Sequence, residues 1–492
     1  MDAARVRARL KPGSLRASFD ATQNTRRLRS WAPSSSNLNT IIASGGAHLL
    51  RRSRDLCRNN GYAVASRAAF VAAVAGCGIK PSWLVESADL KKAGQAAWRR
   101  WTDESDADGL TDFYGQQAMA AGEMFEAGEC FIRIRPRQPS DGFYVPLQLQ
   151  LLPAEMLPWE KTEQLPGGRT IRCGIEFNGI GQRLAYWFYR KHPGDATDSR
   201  VDGELYTRVP ASEVLHLYMP SQPGLIRGVP WLAPAMIRLR MLDDYDDAEL
   251  ERKRTAAMFA AFVTEVPPAD GMPAEGETVD GAPLLGFEPG MIQKLMPGED
   301  VKFAEPADVG QQYDAFQIRN LLAVSSGVGV PYATVTGDLR QVNYSSIRAG
   351  MVDFRRRVEQ LQHAVMVYQL CRPIWARWLE TAVLAGRLSV PRYASDRGKW
   401  HGVKWITPAW PWVDPLKDRQ AEALAVANKF KARSDVVEAE GEDVEEVDAR
   451  IAADMAREEA LGLPPSPDQA AALAAVKVAE EPAQPDQEKV AA

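Results

Sequence analysis

Nowhere does this 492-residue sequence read GxxxxGK followed by Ser or Thr, so no loop of the phosphate-cradling kind is expected. HExxH is missing too, as is the GxSxG elbow: Ser325 precedes Ser326-Gly327 but lacks the glycine that should stand before it. Cysteine is scarce. Cys57, Cys77, Cys130, Cys173 and Cys371 are odd in number and scattered, with no CxxC pair. That argues against a disulfide framework and a structural zinc site, and suits the reduced thiols of a cytoplasmic protein. The five histidines, His48, His192, His216, His363 and His401, show no metal-ligand spacing and read as ordinary surface or core imidazoles. Long apolar runs are lacking as well. The best, Ala68–Ile79, falls far short of the roughly 20 residues of a membrane span, and the arginine-bearing N-terminus has no apolar signal core. Nor is there a surplus of positive charge. With 59 Lys+Arg against 64 Asp+Glu, the net charge of −5 gives no bulk drive for tight non-specific binding to nucleic acid, although transient contact is compatible with it. No catalytic residue, metal ligand or cofactor is nominated. The expectation is a soluble, multi-domain, structural protein that hydrolyses no nucleotide.

What is present is globular. Hydrophobic residues make up 45% and charged residues 25%, with room for two to four packed units. Residues 1–29 carry eight Lys/Arg against two Asp, the pattern of a flexible basic arm, with contact to DNA or an acidic partner as the sharper alternative. Helical spacing runs from Leu49 to Ile79 and again from Gly109 to Gly128. The period then changes to alternation in Glu129–Arg135 and Leu147–Leu151. Further strands are expected at Gly174–Phe177, Arg183–Arg190 and Glu213–Tyr218. Residues 1–220 therefore read as an α+β domain.

From Pro234 to Thr264 no breaker occurs, and Ile237, Met241, Tyr245 and Ala248 recur at helical spacing. Arg240 with Asp244, Glu249 with Lys253, and Glu251 with Arg254 are spaced to pair along one helix. Thirty such residues would reach about 45 Å. The acid run Asp243–Asp247 would have to gather on one face to hold a cation; on a continuous helix it spreads over several, so a solvated or channel-facing helix is the expectation. Residues 267–310, rich in Pro, Gly and acid, suggest a small β-containing insertion. Helix resumes over Tyr313–Val324 and, with Ser345 as N-cap, over Ser345–Leu370. Trp400–Trp412 suggests strand and turn. Asp414–Leu461 is helical and acidic, and residues 464–492, with five prolines, carry too little apolar surface to fold alone.

Five segments resemble the portal proteins of tailed phages, the lambda type in particular. They are Ser53-Arg-Asp-Leu-Cys-Arg-Asn-Asn-Gly-Tyr62 with Gly78-Ile-Lys-Pro81; Gly128-Glu-Cys-Phe-Ile-Arg-Ile-Arg135 with Leu149–Glu155; and Arg227-Gly-Val-Pro-Trp-Leu-Ala-Pro234. Gly327-Val-Gly-Val-Pro-Tyr332 with Asn343-Tyr-Ser-Ser-Ile-Arg348 is the fourth, and Val413-Asp-Pro-Leu-Lys417 with Gly441-Glu-Asp443 and Glu458–Gly462 the fifth. Each is weak alone; their common order over residues 50–463 makes the match specific.

The resemblance implies an α+β protomer with a wing, stem helices, a small β-containing clip and a helical crown. Its parts would be an arm at 1–48, a wing at 49–228 completed by 381–413, and stem helices at 229–264 and 311–336. The clip would occupy 265–310, a second long helix 345–380, the crown 414–463 and a disordered tail 464–492. A tunnel loop at 337–344 would bring Asp338, Leu339, Arg340, Gln341, Val342, Asn343 and Tyr344 towards DNA; by residue chemistry alone this is a plain surface loop. The family forms a homo-oligomeric ring, twelve-fold in the head, at one capsid vertex. The implied partners are the terminase large subunit, head–tail connector proteins, the major capsid protein and double-stranded DNA, with no membrane. The implied location is the virion, and the host cytoplasm during assembly. Another head-completion or connector protein, or a nuclease or protease of the same pathway, are the rival readings.

Overall fold

The computed structural model describes residue 30 and residues 33–196, 204–258, 262–265, 278–279, 282–283, 299–302, 312–340, 344–410 and 415–463. The basic arm at 1–29, most of the expected clip and the tail at 464–492 lie outside these residues.

The first helical run starts earlier than its periodicity suggests and breaks in two. Helix α1 spans Leu38–Asn59 and α2 spans Gly61–Val74. Between them Asn60 leaves helical geometry, and its side-chain oxygen accepts from the Ala63 N–H at 2.9 Å, the local bond by which Asn competes with a continuous helix. Helices α3 (Ala88–Thr102) and α4 (Phe113–Ala127) open on Ser87 and Asp112 caps in the same way.

Strands β2 (Glu129–Pro136), β3 (Leu147–Leu152) and β9 (Val214–Tyr218) form a three-stranded antiparallel sheet with β2 at its centre. Five short strands, β4 (Glu163–Leu165), β5 (Arg169–Arg172), β6 (Ile175–Phe177), β7 (Arg183–Tyr189) and β8 (Tyr206–Pro210), make a second sheet, an antiparallel meander. A strand at Lys80–Trp83 (β1) pairs with β14 (Val403–Ile406), so that the chain's return closes the body far from its start. The large apolar core joins the helices, β1 and the three-stranded sheet, while the five-stranded sheet packs Ile175, Phe177, Tyr186 and Phe188 into a second cluster against Phe131. Trp83, Trp98, Trp101, Trp375 and Trp378 are all buried in the large core, with Trp98 in ring contact with Trp101, Trp375 and Trp378 at 4.9–5.1 Å.

Beyond the sheets the chain turns helical. Helix α5 covers Met236–Met258, shorter at both ends than the expected 229–264. Phe262–Glu265 is instead strand β10, paired with β13 (Glu299–Lys302). Phe-Val-Thr just ahead of prolines suits extended backbone better than helix. A two-residue pairing of Thr278–Val279 (β11) with Ala282–Pro283 (β12) lies between them, in line with the expected β-containing insertion.

Helix α6 (Gln312–Val328) and the short α7 (Tyr332–Thr336) are separated at Gly329 and Pro331. The second long helix begins as α8 (Tyr344–Leu361), so Ser345 is inside the first turn rather than its cap, and Tyr344 belongs to the helix. It widens into a π-helix over Gln362–Cys371 and continues as α9 (Arg372–Leu384). Pro373 has no N–H to give the preceding turn, which is where such widening is expected. Gln362 and Gln369 anchor the wide segment, Gln362 to the Ala73 carbonyl and Gln369 to both backbone groups of Tyr218, each at 3.1 Å.

After a short helix α10 (Arg397–Trp400) and β14, three helices end the described chain: α11 (Pro415–Ala427), α12 (Arg433–Ala439) and α13 (Val444–Ala460). Among the described residues, no helix is long and apolar enough to cross a membrane.

Candidate channel loop and the junction that holds it

The nominated loop is described in part: Gln341, Val342 and Asn343 lie outside the described residues, and of Tyr344 only the backbone is described. Gly337 closes α7 in the left-handed region at φ +70°, turning the chain outward. Asp338 organises the start of the loop. It accepts from the Arg340 backbone N–H and Nε at 3.0 Å each, and from the Tyr332 hydroxyl at 3.1 Å. Hydrogen bonds from Arg340, chiefly, hold the Asp338 carboxyl below its usual range. Arg340 also reaches Asp314 on α6 at 3.1 Å, and both carboxylates push its own pKa up. The guanidinium is therefore matched by two carboxylates before any ligand arrives. Leu339 stands exposed beside it and lines, with Leu322, Val330, Tyr332, Met351 and Phe354, a groove of about 640 Å³ between α6, α7 and α8.

The loop hangs from a junction where the resembling segments meet. Glu129 and Arg227, in two of those segments, form a buried ion pair at 2.6 Å. The same carboxylate accepts from the Gly228 N–H at 2.8 Å and contacts His216 Nε2 at 2.9 Å. Burial works to raise the Glu129 pKa, but Arg227 and His216 overcome it and hold it at about 2. For His216 burial wins, pushing its pKa down to about 4, so at neutral pH the ring is uncharged and donates from Nε2. Arg227 also donates to the Cys173 carbonyl at 2.9 Å and stacks 3.7 Å from the Trp159 ring centroid, tying the two sheets together.

Here two glycines are obligatory. Any Cβ on Gly128 (φ +83°) would come within 2.1 Å of the Val229 backbone, and one on Gly228 within 2.1 Å of the Gly128 carbonyl. Directly after this crossing, the Trp231 backbone N–H bonds the Phe125 carbonyl at 3.0 Å and its indole bonds the Val328 carbonyl at 2.8 Å. Body, α5 and the end of α6 are thereby fixed to one another. The first segment joins in through Arg54, which pairs with Glu123, Glu126 and Glu155 at 2.5–2.9 Å.

The acid run at 243–247 does what the helical reading expects. Asp243 accepts from Asn60, Asp244 pairs with Arg240 at 2.6 Å, and Asp246 accepts from Tyr313 and Gln317. These three carboxylates are committed to different neighbours, and among the described residues no His, Cys, Asp or Glu group is arranged to hold a metal ion. The expected pairs Glu249–Lys253 and Glu251–Arg254 are present at 3.7 and 3.3 Å.

Sequence reasoning missed Asp314 and Tyr332 as the loop's tethers and His216 as a member of the junction. Glu129 and Arg227 stood inside the quoted segments, but nothing local signals that they meet.

Among known proteins, the family profile described as "Phage portal protein, lambda family" matches residues 24–362. A "Probable portal protein" of Halomonas phage phiHAP-1 is 25% identical over 93% of this chain and 89% of its own. "Portal protein B" of Escherichia phage lambda is 22% identical over 89% of each chain. Of the solved structures, the "Neck of native GTA particle computed with C12 symmetry" aligns over 85% of this chain and 94% of its own, at 14% identity and a TM-score of 0.47. With the profile spanning well over half of the sequence and the relatives nearly all of it, the chain belongs to the lambda family of phage portal proteins.

Proposed function

We propose that copies of this chain form a ring of twelve at one vertex of the phage head, the conduit through which double-stranded DNA is packaged and ejected. As a portal protein it is structural rather than catalytic. In this reading residues 49–228 with 381–413 are the wing, 229–264 and 311–336 the stem, 265–310 the clip and 414–463 the crown, with the second long helix at 345–380. The clip docks the terminase large subunit during packaging and head–tail connector proteins afterwards, and the wing meets the major capsid protein. The protein resides in the virion and, before that, in the host cytoplasm.

The observation that carries the ring is the outer face of α5. Its inner face packs through Met236, Leu239 and Leu242, while Ile237 and Met241, 74% and 66% exposed, stand bare on the other side. An apolar stripe of this kind on a long helix is what a neighbouring subunit covers.

The loop at 337–344 is proposed to face the DNA. Its chemistry suits sliding rather than gripping. A phosphate approaching Arg340 has to compete with Asp314 and Asp338, so each contact is weak, and a polyanion moving either way meets little friction. An acidic crown fits the same demand. Deleting Leu339–Asn343 should leave the ring intact, seen by sedimentation and electron microscopy, while lowering retention of packaged DNA in heads. Normal yields of full, infectious heads would refute the loop's role, and loss of the ring would make it an intersubunit element instead.

A further inference from the structure

Between Leu416 and Leu463 the only buried residue is Asp443, an acid, and no apolar side chain of this segment belongs to the core. Helices this short do not hold together on propensity alone; they need an apolar face covered. From Asp448 to Leu463 every residue is exposed, yet Ile451 and Met455 continue the four-residue spacing of half-buried Val447 along α13, an apolar face that no described residue covers.

A second feature of the same segment matches the stripe. Helix α11 ends in a turn where the Phe430 N–H bonds the Ala425 carbonyl at 2.9 Å and the Lys429 N–H bonds the Val426 carbonyl at 3.0 Å. Glycine usually occupies the left-handed position of such a turn. Here it is Lys429, at φ +60°, a conformation that crowds its Cβ. The next residue ordinarily folds back on its helix; Phe430 instead projects, 86% exposed.

Charge distinguishes the two surfaces. Next to Phe430, Lys431 is matched by Glu422 and Arg433 by Asp448, which leaves Lys429 without an ion-pair partner among the described residues. Along the stripe Arg450 is matched by Glu442 and Arg457 by Asp454, which leaves Glu458 and Glu459 unmatched among the described residues, two turns beyond Ile451 and one beyond Met455. One surface is an aromatic knob beside a spare cation; the other is an apolar stripe beside spare carboxylates.

We propose that Phe430 of one copy seats on the Ile451–Met455 face of α13 in the next copy, with Lys429 against the Glu458–Glu459 pair. The occupant is a second copy because the patches are different and complementary, and contacts of that head-to-tail type close into rings. The chain's own residues 464–492 suit the stripe poorly, since five Asp/Glu against two Lys would bring negative charge onto an acidic helix. This contact rests on the ring reading above.

The test uses full-length chains in a Cys77→Ser background, one preparation carrying Phe430→Cys and the other Met455→Cys. After co-assembly and treatment with a short bis-maleimide, a cross-linked dimer should appear on denaturing gels from the mixture and not from either preparation alone. No dimer from a mixture that still sediments as rings overturns this contact and leaves the ring reading standing. An unmodified chain that never sediments beyond the monomer overturns the ring itself. Reversing charge with Lys429→Glu should weaken reassembly, and adding Glu459→Lys should restore part of it; absence of rescue counts against the pairing.

Discussion

Around Trp98 the rings of Trp101, Phe113, Trp375 and Trp378 lie within 5.4 Å, all buried. The C-terminal helices, residues 416–463, bury no apolar side chain and meet the body through charge. Lys91 pairs with Asp443 and Glu445 at 3.6 and 2.9 Å, Arg99 with Glu446 at 2.9 Å, Arg348 with Asp418 at 3.0 Å, and Lys404 with Glu438. The body is thus complete as a single copy, whereas the C-terminal helices are attached but unfinished. Burial of aromatic surface acts without a partner subunit and is indifferent to salt; ion pairs at partly exposed sites are weaker and screened.

The contrast breaks most severely at the tryptophans. Trp378→Ala should lower the stability of the body by about 3–5 kcal/mol, read as a reduced urea midpoint. An effect on the C-terminal helices alone, with the body's transition unmoved, would mean that the aromatic cluster is not the frame.

Acid should attack the body next. The unfolded chain's imidazole takes its proton near the ordinary 6.5, while buried His216 resists until about 4, so the unfolded state binds more protons between those values. Stability should therefore fall as pH drops through that window, on the order of 3 kcal/mol from this group. Glu129, held at about 2 against an ordinary 4.5, contributes stability that is present above 4.5 and is lost as pH falls towards 2. His216→Leu should flatten the slope between pH 6.5 and 4 in denaturation series; an unchanged slope would assign acid sensitivity to other groups.

Salt should act on the C-terminal helices, and less strongly. Lys91→Met should cost about 1–2 kcal/mol locally, speeding hydrogen exchange in 415–463 while leaving 113–136 unchanged. Raising ionic strength should do the same to the unmodified chain. Equal acceleration in both regions would erase the distinction between them.

Much of this architecture is written locally. Alternation in Glu129–Arg135 and Leu147–Leu151 specifies half-buried strands, and they pair as β2 and β3. A breaker-free run with charges three and four apart specifies a helix, and all three expected pairs along α5 are made. Periodicity and i,i+4 spacing are properties of neighbouring residues, so one chain carries them in full. The order of the resembling segments was legible in the same way and named the family.

Tertiary structure decided what depends on distant partners. Ile237 and Met241 are helically spaced, but whether they face the core or the outside depended on where α6 and the body lay; Leu239 and Leu242 took the inside. Helix gave way to strand at Phe262 because Glu299–Lys302 was there to pair. Glu129 found Arg227 and His216 across separations of 98 and 87 residues, and Arg340 found Asp314 across 26. A charge's partner is set by where the backbone carries it, and a stripe's cover by which surface arrives there. For the C-terminal helices that surface belongs, in the contact proposed above, to another copy of the chain.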